Sequence, residues 1–187
     1  MTGTPFDARQ AARAVETLLG ESVPATGPAQ WEPSGDGDGE GWSGSHGAGF
    51  RLARLWESRP HDSRAQDSRA HARVPGDPGP DAAREEAAAH LADLSSALES
   101  RYGPPRTVDL RTLPAAQDGD DPPAPPLLAE LDAFGLHEAL LVWGPVPSPH
   151  GPRWVAVSVG QCDADAPHLM VVALSDVPIE EPPTDED

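Results

Sequence analysis

Apolar side chains recur at helical spacing in three stretches and alternate at strand spacing in the last third of the chain. In residues 5–19, Ala8, Ala11/Ala12, Val15 and Leu18/Leu19 fall on one helical stripe. Thr4 or Asp7 supplies an N-cap, Pro5 suits a first turn, and Gly20 is placed to end the helix. The strongest helix is predicted over residues 81–102. Asp81 is its N-cap, Glu85 and Glu86 lie in the first turns where the helix dipole favours acids, and Gly103-Pro104-Pro105 ends it. Ala87, Leu91, Leu94, Leu98 and Tyr102 line one face of that helix. A short third helix is predicted over Leu127–Phe134, preceded by prolines and stopped by Gly135.

Strands are predicted at 139–143, 153–159 and 168–174, the first two forming an antiparallel pair across the loop Gly144–Pro152. If Trp143 faces Trp154, then Leu141, Trp143, Trp154, Ala156 and Ser158 share one face. Leu140, Val142, Val155, Val157 and Val159 then share the other, an aliphatic seat for helices. Phe50, Leu52 and Trp56 alternate as in a strand, with Arg54 interrupting the pattern, and 106–110 reads as a further short strand.

Together these elements predict an α+β fold of two layers. An antiparallel sheet of three to five strands, ending in a C-terminal meander, carries the helices on one face, and long disordered linkers interrupt it. One domain is expected, made of an N-terminal helix (1–22), a strand (49–57) and the main helix plus sheet (81–176). Between them lie a flexible acidic loop rich in Gly and Pro (23–48), a disordered linker (58–80), a flexible stretch (114–125) and a disordered acidic tail (177–187). The near-repeat Asp62-Ser-Arg-Ala-Gln and Asp67-Ser-Arg-Ala-His lies in the linker and is too short for a solenoid.

Composition sharpens what the chain does not do. It has 23 prolines, 18 glycines and no lysine or asparagine, and all 13 basic residues are arginine. Codons for Lys, Asn and Ile are A/T-rich, so this usage points to a bacterial genome of high G+C content. It removes every mechanism built on a phosphate-binding or Schiff-base lysine, and N-glycosylation with them. The net charge is −18. From Thr112 to Asp187, fourteen acids are met by one base, Arg153. No basic patch exists to neutralise a nucleic-acid backbone or hold an anionic membrane surface, so neither is expected as a partner. The acidity reads as solvated surface or, more sharply, as attraction for a basic protein partner. One cysteine excludes an internal disulfide framework. With no signal-peptide pattern and no long apolar run, a soluble cytoplasmic protein is the expectation.

Each motif with chemical potential fails on spacing. Asp36-Gly-Asp-Gly-Glu-Gly41 begins like a calcium loop, but its twelfth position is Gly47 where a bidentate glutamate is required. His137-Glu138 begins like a zinc-protease helix, yet Leu141 stands where the second histidine belongs. Gly41-Trp-Ser-Gly-Ser-His46 lacks the Gly-x-Ser-x-Gly spacing of a nucleophile elbow. Cys162, Asp163, Asp165 and His168 lie within seven residues and form the one set that resembles a metal site or a Cys–His pair. An ordinary turn explains them as well, and is preferred.

No cofactor and no catalytic residue is therefore assigned, and the protein reads as a non-enzyme. The helix-plus-meander layout is similar to small bacterial adaptor, secretion-chaperone and toxin-immunity domains, in architecture and without a shared motif. The expected function is a protein-interaction module using a face made of Trp143, Trp154, Ala156 and Ser158. The alternatives are an enzyme centred on Cys162 and His168, or a homodimer that hides the same face.

Overall fold

Asp7 starts the first helix, α1 (Ala8–Leu19), because its Oδ1 accepts from the N–H groups of Arg9 at 2.8 Å and Gln10 at 3.3 Å. The computed structural model describes residues 6–27, 29–31, 44–58, 80–110, 125–136, 139–161 and 166–180. Residues 59–79 of the predicted linker 58–80, 114–124 of the stretch 114–125 and 181–187 of the tail 177–187 lie outside these residues, as do the acidic core of the calcium-like loop and His137-Glu138.

Two further helices follow among the described residues: α2 (Pro80–Tyr102) and α3 (Pro126–Ala133). The strands are β1 (Ala29–Trp31), β2 (Gly44–Gly47), β3 (Phe50–Glu57), β4 (Arg106–Asp109), β5 (Ala139–Ser148), β6 (Gly151–Gly160) and β7 (Leu169–Ser175). All seven form one antiparallel sheet in the order β1-β2-β3-β7-β6-β5-β4. The class is α+β, as the sequence predicts, with more strands than expected. With 23 residues, α2 is roughly 34 Å long at 1.5 Å per residue. It carries the chain over three strands, from β3 to β4 at the far edge.

The helices divide between the two sides of the sheet. On one side α1 contributes Ala11, Val15 and Leu19, and α2 contributes Leu94 and Leu98, to a core with Val155, Val157, Met170, Val172 and Leu174. On the other, Leu127, Leu128 and Leu131 of α3 cover Leu52, Leu140, Val142, Ala156 and Ala173. The expected two layers with helices on one face thus become three. The reason is visible in β7, where every residue from Met170 to Ser175 is buried. A strand apolar on both sides needs cover on both. Ile179, placed by the sequence reading in a disordered tail, is buried in the α3-side core. Its carbonyl accepts from Arg106 Nη2 on β4.

The predicted stripe of α2 holds: Ala87, Leu94 and Leu98 are buried, and Leu91 and Tyr102 pack against the same core. Burial pushes the Tyr102 phenol above its ordinary pKa, and neighbouring Arg101 partly offsets this.

Three local departures from the sequence reading have identifiable causes. First, the supposed flexible loop 23–48 contains β1 and β2. A Cβ on Gly44 would lie 2.1 Å from the Leu52 carbonyl oxygen, so this glycine permits close strand approach and does not mark a loop. Second, β3 carries a bulge between Arg54 and Trp56. It sends Phe50 and Leu52 to the α3 side and Trp56 to the α1–α2 side, which explains the interruption at Arg54.

Third, the loop expected at Gly144–Pro152 is mostly strand: β5 and β6 continue to a two-residue turn at Pro149-His150. Pro147 stands opposite Pro152, and two prolines cannot exchange ladder bonds. Their missing N–H groups therefore belong on the outer edges, where proline guards against further strand pairing.

The same hairpin is irregular between Trp143 and Val146, around Gly144. A Cβ on Gly144 would lie 2.4 Å from Cδ1 of Trp154, and φ there is +154°. Gly144→Ala is expected to destabilise the protein by ~1–3 kcal/mol through overpacking. The urea midpoint should fall with an unchanged slope, and the penalty should shrink when Trp154 is also Ala. An equal penalty in both backgrounds would show that the ring is not the obstacle.

Candidate functional site

The bulge at Gly144 decides the fate of the proposed tryptophan face. At the hairpin tip Ser148 pairs with Gly151 and Val146 with Arg153. Carried on without interruption, that register would set Trp143 opposite Ala156, on the same side as Trp154. The irregularity moves it by one residue, to Val155. A one-residue shift turns a side chain to the other face.

Trp143 therefore lies under α1 and α2, 1% exposed, with Nε1 donating to the Gly103 carbonyl at 3.0 Å. Trp154 packs, partly buried, against the α3-side core. Ala156 and Ser158 share its side but are fully buried, and Ser158 Oγ donates to the Ala139 carbonyl at 2.8 Å. The structure brings Trp154, Ala156 and Ser158 to one side and sends Trp143 to the other. The four do not form one surface, which corrects the expectation.

Of the alternative set, Cys162, Asp163 and Asp165 lie outside the described residues. His168 is described, and its backbone is tied to Ser58: its N–H donates to Ser58 Oγ at 2.9 Å, and its carbonyl accepts from the Ser58 N–H at 2.8 Å. Among the described residues, no group of three or more His, Cys, Asp or Glu side chains could hold a metal.

Arg153, the lone base of the acidic third, proves to be structural. It is 2% exposed on the α1 side of β6. Its Nη1 donates to the carbonyls of Leu19, at 3.2 Å, and Glu21, at the C-terminal end of α1. A cation at that end answers both the unpaired carbonyls and the helix dipole. Nε lies 3.2 Å from Asp176 Oδ1 but is not aligned for a hydrogen bond, so that contact is one of charge. His150 at the hairpin tip adds a 3.1 Å contact from Nε2 to the Gly20 carbonyl.

Beyond α1 the sheet projects as β3 and β2, leaving a cleft of about 300 Å³. Arg13 and Thr17 of α1, with Glu21 just past its end, form one wall, while His46, Arg51 and Ala53 come from the strands. Opposed residues of an antiparallel pair share a face, so His46 and Arg51 stand together. Ser45, opposite Leu52 in the ladder, also lines the cleft, and its hydroxyl is buried without a hydrogen-bond partner. Arg51 is held by Glu21, with Nη1 to Oε2 at 3.0 Å, and its Nε donates to the Ser22 carbonyl at 3.1 Å. The arrangement can hold an apolar group with a polar head. It presents no nucleophile beside a base.

Sequence reasoning missed this cleft because the strand that forms half of it was read as loop. The available signal was the polar row Gln10, Arg13 and Thr17, which leaves α1 a face that the core does not claim. Comparison with protein-family models, with curated proteins and with solved structures found no match. No helix among the described residues is long and apolar enough to cross a membrane.

Proposed function

We propose that this protein is a non-catalytic protein-interaction module, an adaptor, chaperone or immunity-like binder acting in the cytoplasm. Its binding surface is the cleft between α1 and the β2–β3 pair, in place of the tryptophan face. The observation that carries the reading is the cleft itself. It is a concavity at the small end of the range for ligand pockets, with a largely apolar lining and a few charged groups at its walls. The chain as a whole carries a net charge of −18, most of it from residue 112 onward, and such a field would speed encounter with a basic protein.

The test is recovery of partners from the native host by three forms of the full chain. These are the wild type, Arg13→Glu in the cleft wall, and Asp93→Asn on the exposed side of α2. All three should melt at the same temperature. A partner held by the wild type and by Asp93→Asn, and lost by Arg13→Glu, is the expected result. Equal recovery by all three would remove the cleft as the binding surface.

A further inference from the structure

We infer that the tip of the β5–β6 hairpin sets the far wall of the cleft, with His150 as the positioning residue; its weight in function rests on the cleft reading above. The N–H groups of Gly20 and Glu21, just past α1, still bond back into the helix, to Glu16, Thr17 and Leu18. The carbonyls at that end cannot do the same, because a helix leaves its last carbonyls without an internal partner. Each carbonyl from Leu19 to Ser22 is instead taken by a side chain from elsewhere in the fold. Arg153 Nη1 holds Leu19 and Glu21, His150 Nε2 meets Gly20 at 3.1 Å, and Arg51 Nε donates to Ser22 at 3.1 Å. A carbonyl only accepts, so Nε2 of His150 is the donor.

That short stretch of backbone is where hairpin and cleft meet. Glu21 lines the cleft, and its carboxylate neutralises Arg51 at 3.0 Å. Residues 21–24 belong to no helix or strand, so side chains from outside set their place. Of the three that do, Arg153 is buried and Arg51 is itself part of the cleft. His150 is exposed, and its turn is built to present it. Pro149 before it has a fixed φ, and Gly151 after it adopts φ +104°, which glycine tolerates. Ser148 Oγ accepts from the His150 N–H at 3.2 Å and donates to the Gly151 carbonyl at 2.7 Å. The imidazole is thereby held to the carbonyl one residue before Glu21. Without that bond Gly20 and Glu21 gain room to move, and both ties on Arg51 loosen with them. The tip thus decides whether Arg51 stands neutralised in the wall or turns its charge into the cleft.

The experiment compares the full chain with its His150→Ala, His150→Gln and Ser148→Ala variants by NMR, with no ligand added. The probe is water exchange of the Arg51 Nε–H, identified by its absence in Arg51→Lys. His150→Ala should speed that exchange about tenfold, the factor that one net hydrogen bond supplies. It should also shift the amides of residues 20–22, 46 and 51–53. His150→Gln supplies an amide donor in place of the ring N–H and should restore slow exchange. Ser148→Ala keeps the imidazole and loosens the turn, so it should fall between. Amides of β7, at the centre of the sheet, should exchange as in the wild type throughout.

Unchanged exchange at Arg51 in His150→Ala overturns the proposal. So does equal loss in His150→Ala and His150→Gln, which would assign the effect to the bulk of the ring. A parallel rise in β7 overturns it too, because the effect would then be one of global stability. No partner enters this readout, so it stands apart from the broader reading. Faster exchange at Arg51 in His150→Ala, together with equal partner recovery by Arg13→Glu and the wild type, would keep the hairpin's control of the wall and remove the cleft as a binding surface. Loss of a partner by Arg13→Glu, with Arg51 exchange unchanged in His150→Ala, would do the reverse.

Discussion

Replacing Trp143 with alanine is expected to cost ~3–5 kcal/mol, the range for truncating a fully buried large aromatic side chain. The indole is 1% exposed and fills the space between the sheet and the α1–α2 layer, touching a core that includes Leu94, Leu98 and Val155. Its Nε1 also satisfies the Gly103 carbonyl just past the end of α2, at 3.0 Å. Trp143→Phe keeps most of the ring and loses that bond, so a penalty of about 1 kcal/mol for the bond adds to a smaller cavity term. Trp154→Ala should cost less than Trp143→Ala, because Trp154 is only partly buried at the margin of the α3-side core. Urea unfolding of the three variants measures the order directly. A Trp154→Ala penalty equal to or above that of Trp143→Ala would mean that the register around Gly144 is wrong. The contrast also bears on binding experiments: a double tryptophan variant that loses a partner has first lost much of its core.

The central elements were legible in the sequence wherever local pattern and tertiary demand agree. The stripe from Ala87 to Tyr102, the alternation in 153–159 and the prolines before Leu127 each specify their element without help. Where pairing decides, local pattern misleads. Gly44-Ser-His-Gly47 has no strand propensity of its own and becomes β2 because β3 lies beside it. Prolines 145, 147, 149 and 152 spell a loop, yet two of them sit at positions that require no ladder N–H, and the strands run on. The tryptophan face failed for a related reason. Face assignment depends on the parity of the register, and an irregularity at Gly144 inverts that parity without any change in the apolar pattern. The cleft inherits these difficulties. It needs β2 to exist, α1 to seat over β7, and the polar row of α1 to project past the core. Arg153, by contrast, was visible as an anomaly, a single arginine beginning an apolar strand in a segment otherwise without bases.

That arginine supports the second large expected effect. Arg153→Ala should destabilise the protein by about 3 kcal/mol, since hydrogen bonds to charged groups are worth about 1.5–3 kcal/mol and buried carbonyls left unpaired add to the loss. The guanidinium joins two parts of the chain that are distant in sequence: the carbonyls of Leu19 and Glu21 at the end of α1, and the β5–β6 hairpin that carries it. Removing it orphans those carbonyls and opens a gap beneath the end of α1, so hydrogen exchange should rise in residues 15–21 before it rises in β6. Asp176→Asn is the informative partner. Asp176 is half-exposed and its contact with Nε is unaligned, so its loss leaves the carbonyl bonds in place and should be far milder. Arg153→Met separates packing from bonding, because it keeps much of the stem and supplies no donor. If Arg153→Met were as stable as the wild type, volume alone would explain the residue, and the carbonyl bonds would contribute nothing. If Asp176→Asn matched Arg153→Ala, the charge contact would be the principal one. The expected order places Arg153→Ala lowest, Arg153→Met between, and Asp176→Asn near the wild type, with α1 loosening in the first two and holding in the third.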